Sequence, residues 1–198
     1  MAVVNGEPGF TQLKKVNVLD EFLLNGQTVA ESIDIDRVLD GESVATEQDP
    51  TGIGVAGAIQ IEFGPAVNTS EDPVNLLADG TVQVNQTGLY RIKVATQFGR
   101  DAAAGTARLL FRVLINGVQA GRSINYNLIN ANTTGYFEND TWITLPQGTA
   151  LTFEVMRDSS GANNGGLFSF TPTPDGGNEW NFSPSAAIRI ERWNQTPS

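Results

Sequence analysis

The chain contains no cysteine and no histidine. Without cysteine there is no disulfide, no thiolate nucleophile and no thiolate metal ligand. Without histidine the usual general base, the commonest zinc ligand and a Ser–His–Asp triad are lost together. Basic residues are scarce: 12 Lys and Arg stand against 22 Asp and Glu, a formal net charge of −10. A surface of that sign repels a nucleic-acid backbone, so nucleic acid is discounted as a partner. The same charge suits solubility, or docking on a basic protein surface. No apolar run approaches the roughly 20 residues of a membrane-spanning helix, so no membrane insertion is expected. The opening residues, MAVVNGEPGFTQLKK, lack the basic-then-apolar pattern of a secretion signal, which leads us to expect a protein made in the cytosol. With no phosphate-binding loop either, no enzyme activity and no cofactor are expected. Two carboxylates alone suffice to cleave a glycoside, but nothing in the sequence nominates a pair.

What is present is alternation. Short apolar runs separated by turn residues, among them 21 glycines, favour an all-β domain. The stretch Asp79–Phe98 is the clearest piece. Val82 and Val84 precede Asn85-Gln86-Thr87-Gly88, and Tyr90, Ile92, Val94 and Phe98 follow at period two. The spacing predicts two strands with one buried face each, joined by a turn as an antiparallel pair.

Further strands are expected along the chain. Ile59, Ile61 and Phe63 alternate, and Val74–Leu77 forms a short run. Leu109–Ile115 is apolar on both faces and belongs well inside a sheet. Asn116-Gly117 then turns the chain into Val118. Thr133–Leu145 reads as one long strand or a bulged pair, and Leu151, Phe153 and Val155 follow Pro146-Gln147-Gly148. Ala186–Trp193 closes the series with Ile188 and Ile190 inward. Some eight strands with no helical stripe indicate a β-sandwich.

Residues 1–57 differ. They are strongly acidic and carry no long alternating strand. Phe22-Leu23-Leu24 and Thr28-Val29-Ala30 flank Asn25-Gly26-Gln27, a short-hairpin signature. Phe22, Leu23, Leu24, Ile33, Ile35, Val38 and Leu39 are too apolar for a free tail and too few for a core of their own. We therefore expect an extended arm and linker over 1–57 that buries these residues on another surface, a domain over 58–195, and a tail at 196–198.

Within the domain, the residues around Gly88 carry a resemblance. Val82-x-Val84-x-x-x-Gly88-x-Tyr90-x-Ile92-x-Val94 resembles the centre of the complement globular-head and tumour-necrosis-factor-like jelly roll. Leu114-Ile115-Asn116-Gly117 looks like that family's strand ending in Asn-Gly. Leu145–Val155 looks like its Leu-x-x-Gly-Asp-x-Val-x-Val segment, with Thr149 where Asp is commoner. Ser185–Trp193 looks like its closing strand, although the aromatic pattern there is replaced by Ala186-Ala187-Ile188. The resemblance spans about Ala58 to Trp193. It implies a jelly-roll β-sandwich that assembles as a homotrimer and binds proteins or glycans. Jelly rolls of this type also occur in tailed-phage particles. A cysteine-free, acidic chain with an N-terminal arm looks similar to that group. The resemblance thus implies a virion protein, either a capsid decoration or cement protein anchored on the major capsid protein or another virion protein, or a tail or fibre head that binds a host surface glycan.

Two other features invite chemistry. Asp34-x-Asp36-x-x-x-Asp40-Gly41-Glu42 crowds carboxylates, but it lacks the spacing of a calcium loop, and a solvated acidic face is the preferred reading. Asp158–Gly166 could wrap an ion, though a flexible loop is preferred. The aromatics Tyr136, Phe137, Trp142, Phe168, Phe170, Trp180, Phe182 and Trp193 suit a core or a subunit contact better than sugars. Trp180, in a polar loop, is the candidate for an exposed ligand contact.

Overall fold

A computed structural model of the chain describes residues 23–24, 27–28, 33–42, 47–64, 72–100, 105–130, 134–172 and 180–195. The chain divides into two units, Met1–Asp34 with Gln195–Ser198, and Ile35–Asn194. In the smaller unit, β1 (Leu23–Leu24) and β2 (Gln27–Thr28) pair antiparallel with Leu24 opposite Gln27. This is the short hairpin expected around Asn25-Gly26.

The larger unit is a sandwich of two antiparallel sheets. Its strands are β3 (Ile33–Glu42), β4 (Ile59–Gln60), β5 (Val74–Leu76), β6 (Val82–Val84), β7 (Gly88–Gly99), β8 (Ala107–Ile115), β9 (Val118–Leu128), β10 (Thr134–Leu145), β11 (Ala150–Arg157), β12 (Gly166–Leu167) and β13 (Ala186–Gln195). One sheet runs β10-β7-β13-β3, with β12 also beside β7. The other runs β5-β6-β11-β8-β9, with β4 also beside β11. In chain order the strands pass back and forth between the sheets, with β8-β9 a direct hairpin. This wrapping is a jelly roll, as the resemblance of the residues around Gly88 implies.

The core is what the alternation assigns. Tyr90, Ile92, Val94 and Phe98 of β7 face Val82, Val84, Leu151, Phe153 and Val155 of the opposite sheet, all buried. Phe153 sets its ring edge-on to Phe63 at 5.5 Å, a preferred aromatic geometry. The β8–β9 turn uses Asn116 at φ 50° and Gly117 at φ 76°, the two positive values that a two-residue hairpin requires.

The structure departs from the sequence reading in two places. First, β6 and β7 are not paired. They lie in opposite sheets, and residues 85–87 carry the chain across the sandwich. The backbone amides of Asn85 and Gln86 donate to Pro73 O at 2.8 and 3.2 Å. Period-two alternation fixes which face is buried, but two runs that share a core look alike whether they are neighbours or lie face to face. Second, the boundary at residue 57 falls too late. β3 sits beside β13 in the sheet, Leu39 is 2% exposed within the core, and Val38 packs against it. Leu39 is therefore not available to an outside partner. Ile33 and Ile35 alternate with Asp34 and Asp36, but the acidic look of the run reads as an arm and not as a strand of the sandwich.

Residues 47–57 also belong to this unit. Gln48 exchanges backbone hydrogen bonds with Leu167 at 3.0 and 3.1 Å, and its side-chain amide engages both Glu62 N and Glu62 O. Arg157, 8% exposed, donates to Gly165 O and Pro50 O at 2.7 Å each and lies 3.4 Å from Asp49. Buried guanidinium donors are thus satisfied by the carbonyls of the strap they fasten.

Candidate interaction surface

The outer face of the β10-β7-β13-β3 sheet carries the densest set of exposed aromatic and charged side chains. Because the core takes every second residue of β7, Leu89, Arg91, Lys93, Ala95 and Gln97 turn outward. Register then sets their neighbours. On β10, Trp142 lies opposite Arg91, Asp140 opposite Lys93, Glu138 opposite Ala95 and Tyr136 opposite Gln97. On β13, Trp193 lies opposite Leu89, Glu191 opposite Arg91, Arg189 opposite Lys93 and Ala187 opposite Ala95.

The result is three bands across the sheet. In the first, the rings of Trp142 and Trp193 meet at 5.4 Å, and the Arg91 guanidinium lies 5.6 Å from the Trp142 ring. In the second, charges neutralise one another. Arg91 donates to both oxygens of Asp140, from Nε at 2.9 Å and from Nη2 at 2.7 Å, and reaches Glu191 at 3.4 Å. Lys93 lies 3.6 Å from Asp140, and Arg189 3.0 Å from Asp40. The hydrogen bond from Arg91 holds the Asp140 carboxyl below the usual carboxylate range, and the same bond raises the Arg91 guanidinium.

The third band is small and aromatic. Ala95 and Ala187 leave a concavity of about 150 Å³ lined also by Tyr136, Gln97, Ser183 and Pro184. Tyr136 is 65% exposed, and its hydroxyl donates to Glu138 at 3.1 Å. Burial and then that hydrogen bond push its phenol up. Exposed aromatics around charges that already have partners are the composition of a protein contact surface.

The sequence-predicted residues distribute unevenly. Trp180 is 70% exposed, and Phe182 and Phe170 are also open to solvent. Phe170 and Ser183 exchange backbone hydrogen bonds at 2.9 and 2.7 Å, which brings the segments of Phe170 and Phe182 side by side. Leu23 and Leu24 lie in the β1–β2 hairpin, and Ile33 and Ile35 in β3. Phe22 lies outside the described residues. Among the described residues no group of three acidic side chains is placed to hold a metal ion; Asp40 is engaged by Arg189. Asp158 instead caps its own turn, accepting from the Ser160 amide and hydroxyl, which lower its carboxyl. Arg91 and Gln97 were missed by sequence reasoning. Their only signal was the register that aligns them with Trp142 and Tyr136.

No protein-family model and no curated protein matches the chain. Among solved structures it is similar to that of Eiger TNF from S. frugiperda, at 13% identity with a TM-score of 0.42, covering 82% of this chain and 97% of that one. It is also similar to the globular domain of zebrafish complement 1qA protein, at 10% identity with a TM-score of 0.43, covering 79% of this chain and 96% of that one. At these identities the likeness is one of fold.

Proposed function

We propose that the chain is a structural binding protein of a tailed-phage particle. In this reading it is a homotrimeric capsid decoration or cement protein whose N-terminal segment anchors it to the major capsid protein or another virion protein. The observation that carries the self-association is the outer sheet face, with Trp142, Trp193 and Tyr136 around mutually paired charges. The anchor is the apolar set before the jelly roll, Phe22, Leu23 and Leu24. Three linked anchors bind through high effective concentration, so each needs only modest affinity.

Deleting residues 1–32 tests the anchor. The cut spares β3, so the shortened chain is expected to fold and self-associate while failing to bind particles. Full particle binding by the shortened chain overturns the anchoring role.

The exposed rings of Phe170, Trp180 and Phe182 favour a second reading, a glycan-binding head of a tail or fibre, because flat rings stack on sugar faces. Loss of host adsorption in Trp180→Ala with unchanged particle stability selects it, as does a copy number of a few dozen or fewer per particle.

A further inference from the structure

β9 and β10 are the terminal strands of their two sheets, and they flank one open side of the sandwich. Tyr126 closes one end of the gap. It stacks on Phe98 at 5.1 Å and lies so near Gly135 that a Cβ there would fall 1.4 Å from its hydroxyl. Towards the other end the closure fails. Phe111 pairs with Ile124 but Val113 with Ala120, so Gly121, Arg122 and Ser123 together oppose Arg112 alone. Gly121 takes φ 70° within this bulge. Bulges bend a strand and re-aim its side chains, often beside binding sites. The small residues Ala120 and Gly121 leave a cavity of about 240 Å³ walled by Ile92, Val113, Ile124, Ile143 and Phe153.

Three polar side chains border this apolar space, and none has a partner among the described residues. Asn139, half-buried, and Thr141, exposed, fall on the same β10 series as Phe137, Ile143 and Leu145 and line the mouth of the space. Arg122 is the third. Every other Lys or Arg whose side chain is described makes a hydrogen bond or ion pair. Arg122 is exposed, so its guanidinium is open to a ligand at the mouth of the cavity. An apolar pocket with a few convergent polar groups is the usual form of a small-molecule site.

We propose that this slot binds a small amphipathic carboxylate, its apolar chain among Ile92, Ile124 and Ile143 and its head group at Arg122, Asn139 and Thr141. The charge at Arg122 selects an anion, and the absence of any other cation in the lining limits it to one acidic group. The site lies between the sheet edges, on the other side of β10 from the outer face argued above for self-association.

Titration of decanoate into the full chain, followed by calorimetry and amide chemical shifts, tests this, with 1-decanol as the uncharged control. One saturable site per chain is expected, with shifts centred on β9 and β10. Arg122→Gln should weaken decanoate about tenfold, the loss of one charge-assisted hydrogen bond, and leave 1-decanol unchanged. Ala120→Phe fills the slot and should abolish both. Arg122 is exposed, so its variant serves even if Ala120→Phe fails to fold. Absence of saturable decanoate binding overturns the proposal, as does binding indifferent to Arg122→Gln. Binding of an apolar peptide through its terminal carboxylate, with decanoate excluded, assigns the slot to a protein partner and overturns it as well.

Discussion

The hydroxyl of Tyr90 donates to the carbonyl of Gln86 at 2.6 Å, tying the start of β7 to the link that brings the chain over from β6. The ring is fully buried, and burial raises the phenol, so the group is a neutral donor at any physiological pH. Tyr90→Phe keeps the ring and removes the donor. It is expected to cost about 1–2 kcal/mol, the value of a hydrogen bond whose acceptor is left partly unsatisfied. A urea denaturation midpoint measures this. An unchanged midpoint shows that the other hydrogen bonds of residues 85–87, to Asp72, Pro73, Gln147 and Arg192, hold the crossing without it.

Leu39 separates two uses of the N-terminal region. As a core residue, Leu39→Ala should destabilise the domain by about 2–5 kcal/mol. As an anchor residue it would leave thermal stability intact and weaken only particle binding. Calorimetry of the isolated protein distinguishes them, and a large fall in melting temperature is expected.

Acid sensitivity follows from Asp140. Its folded-state pKa lies below the ordinary 3.8 because Arg91 holds the ionised form. The stability it contributes is therefore complete above about that pH and is lost as pH falls through the lower folded value. Asp140→Asn should lower stability at neutral pH while flattening the pH dependence below 3.8. Acid-unfolding curves of the two proteins should thus converge. Curves that stay parallel below pH 3.8 remove Asp140 from the acid transition.

Self-association should depend on the aromatic end of the outer face. Trp142→Ala removes an exposed ring and leaves the Arg91–Asp140 pair in place, so the fold is expected to persist. Hot-spot aromatics carry about 2 kcal/mol or more of an interface. Sedimentation should show a shift toward smaller species in Trp142→Ala; an unchanged distribution excludes this face.

How much of this was legible in the sequence depends on the physics of each feature. Local chemistry read well: Asn116-Gly117 announced its hairpin, and Leu151, Phe153 and Val155 announced a buried strand face. Trp180 was assigned to an exposed loop position and stands exposed. Long-range pairing did not read. Nothing local in Val82–Val84 says that its sheet differs from that of Tyr90, and nothing in Asp34 or Asp36 says that their strand lies beside β13. The arrangement of Arg91, Asp140, Trp142 and Trp193 joins three strands through register, which no single stretch contains. The Gly121 bulge reads in sequence as an ordinary turn glycine.

The place of β13 between β7 and β3 sets an order on biosynthesis. β13 is made after β3 and after every other strand described above, yet β3 has no neighbour in its sheet until β13 arrives. Closure of the loop between them must precede that contact, and such non-local pairing is slow. A nascent chain paused before Ala186 would hold Leu39 without its neighbours and present an unfinished sheet to chaperones. Completion of this sheet therefore waits on β13, which acts as its keystone.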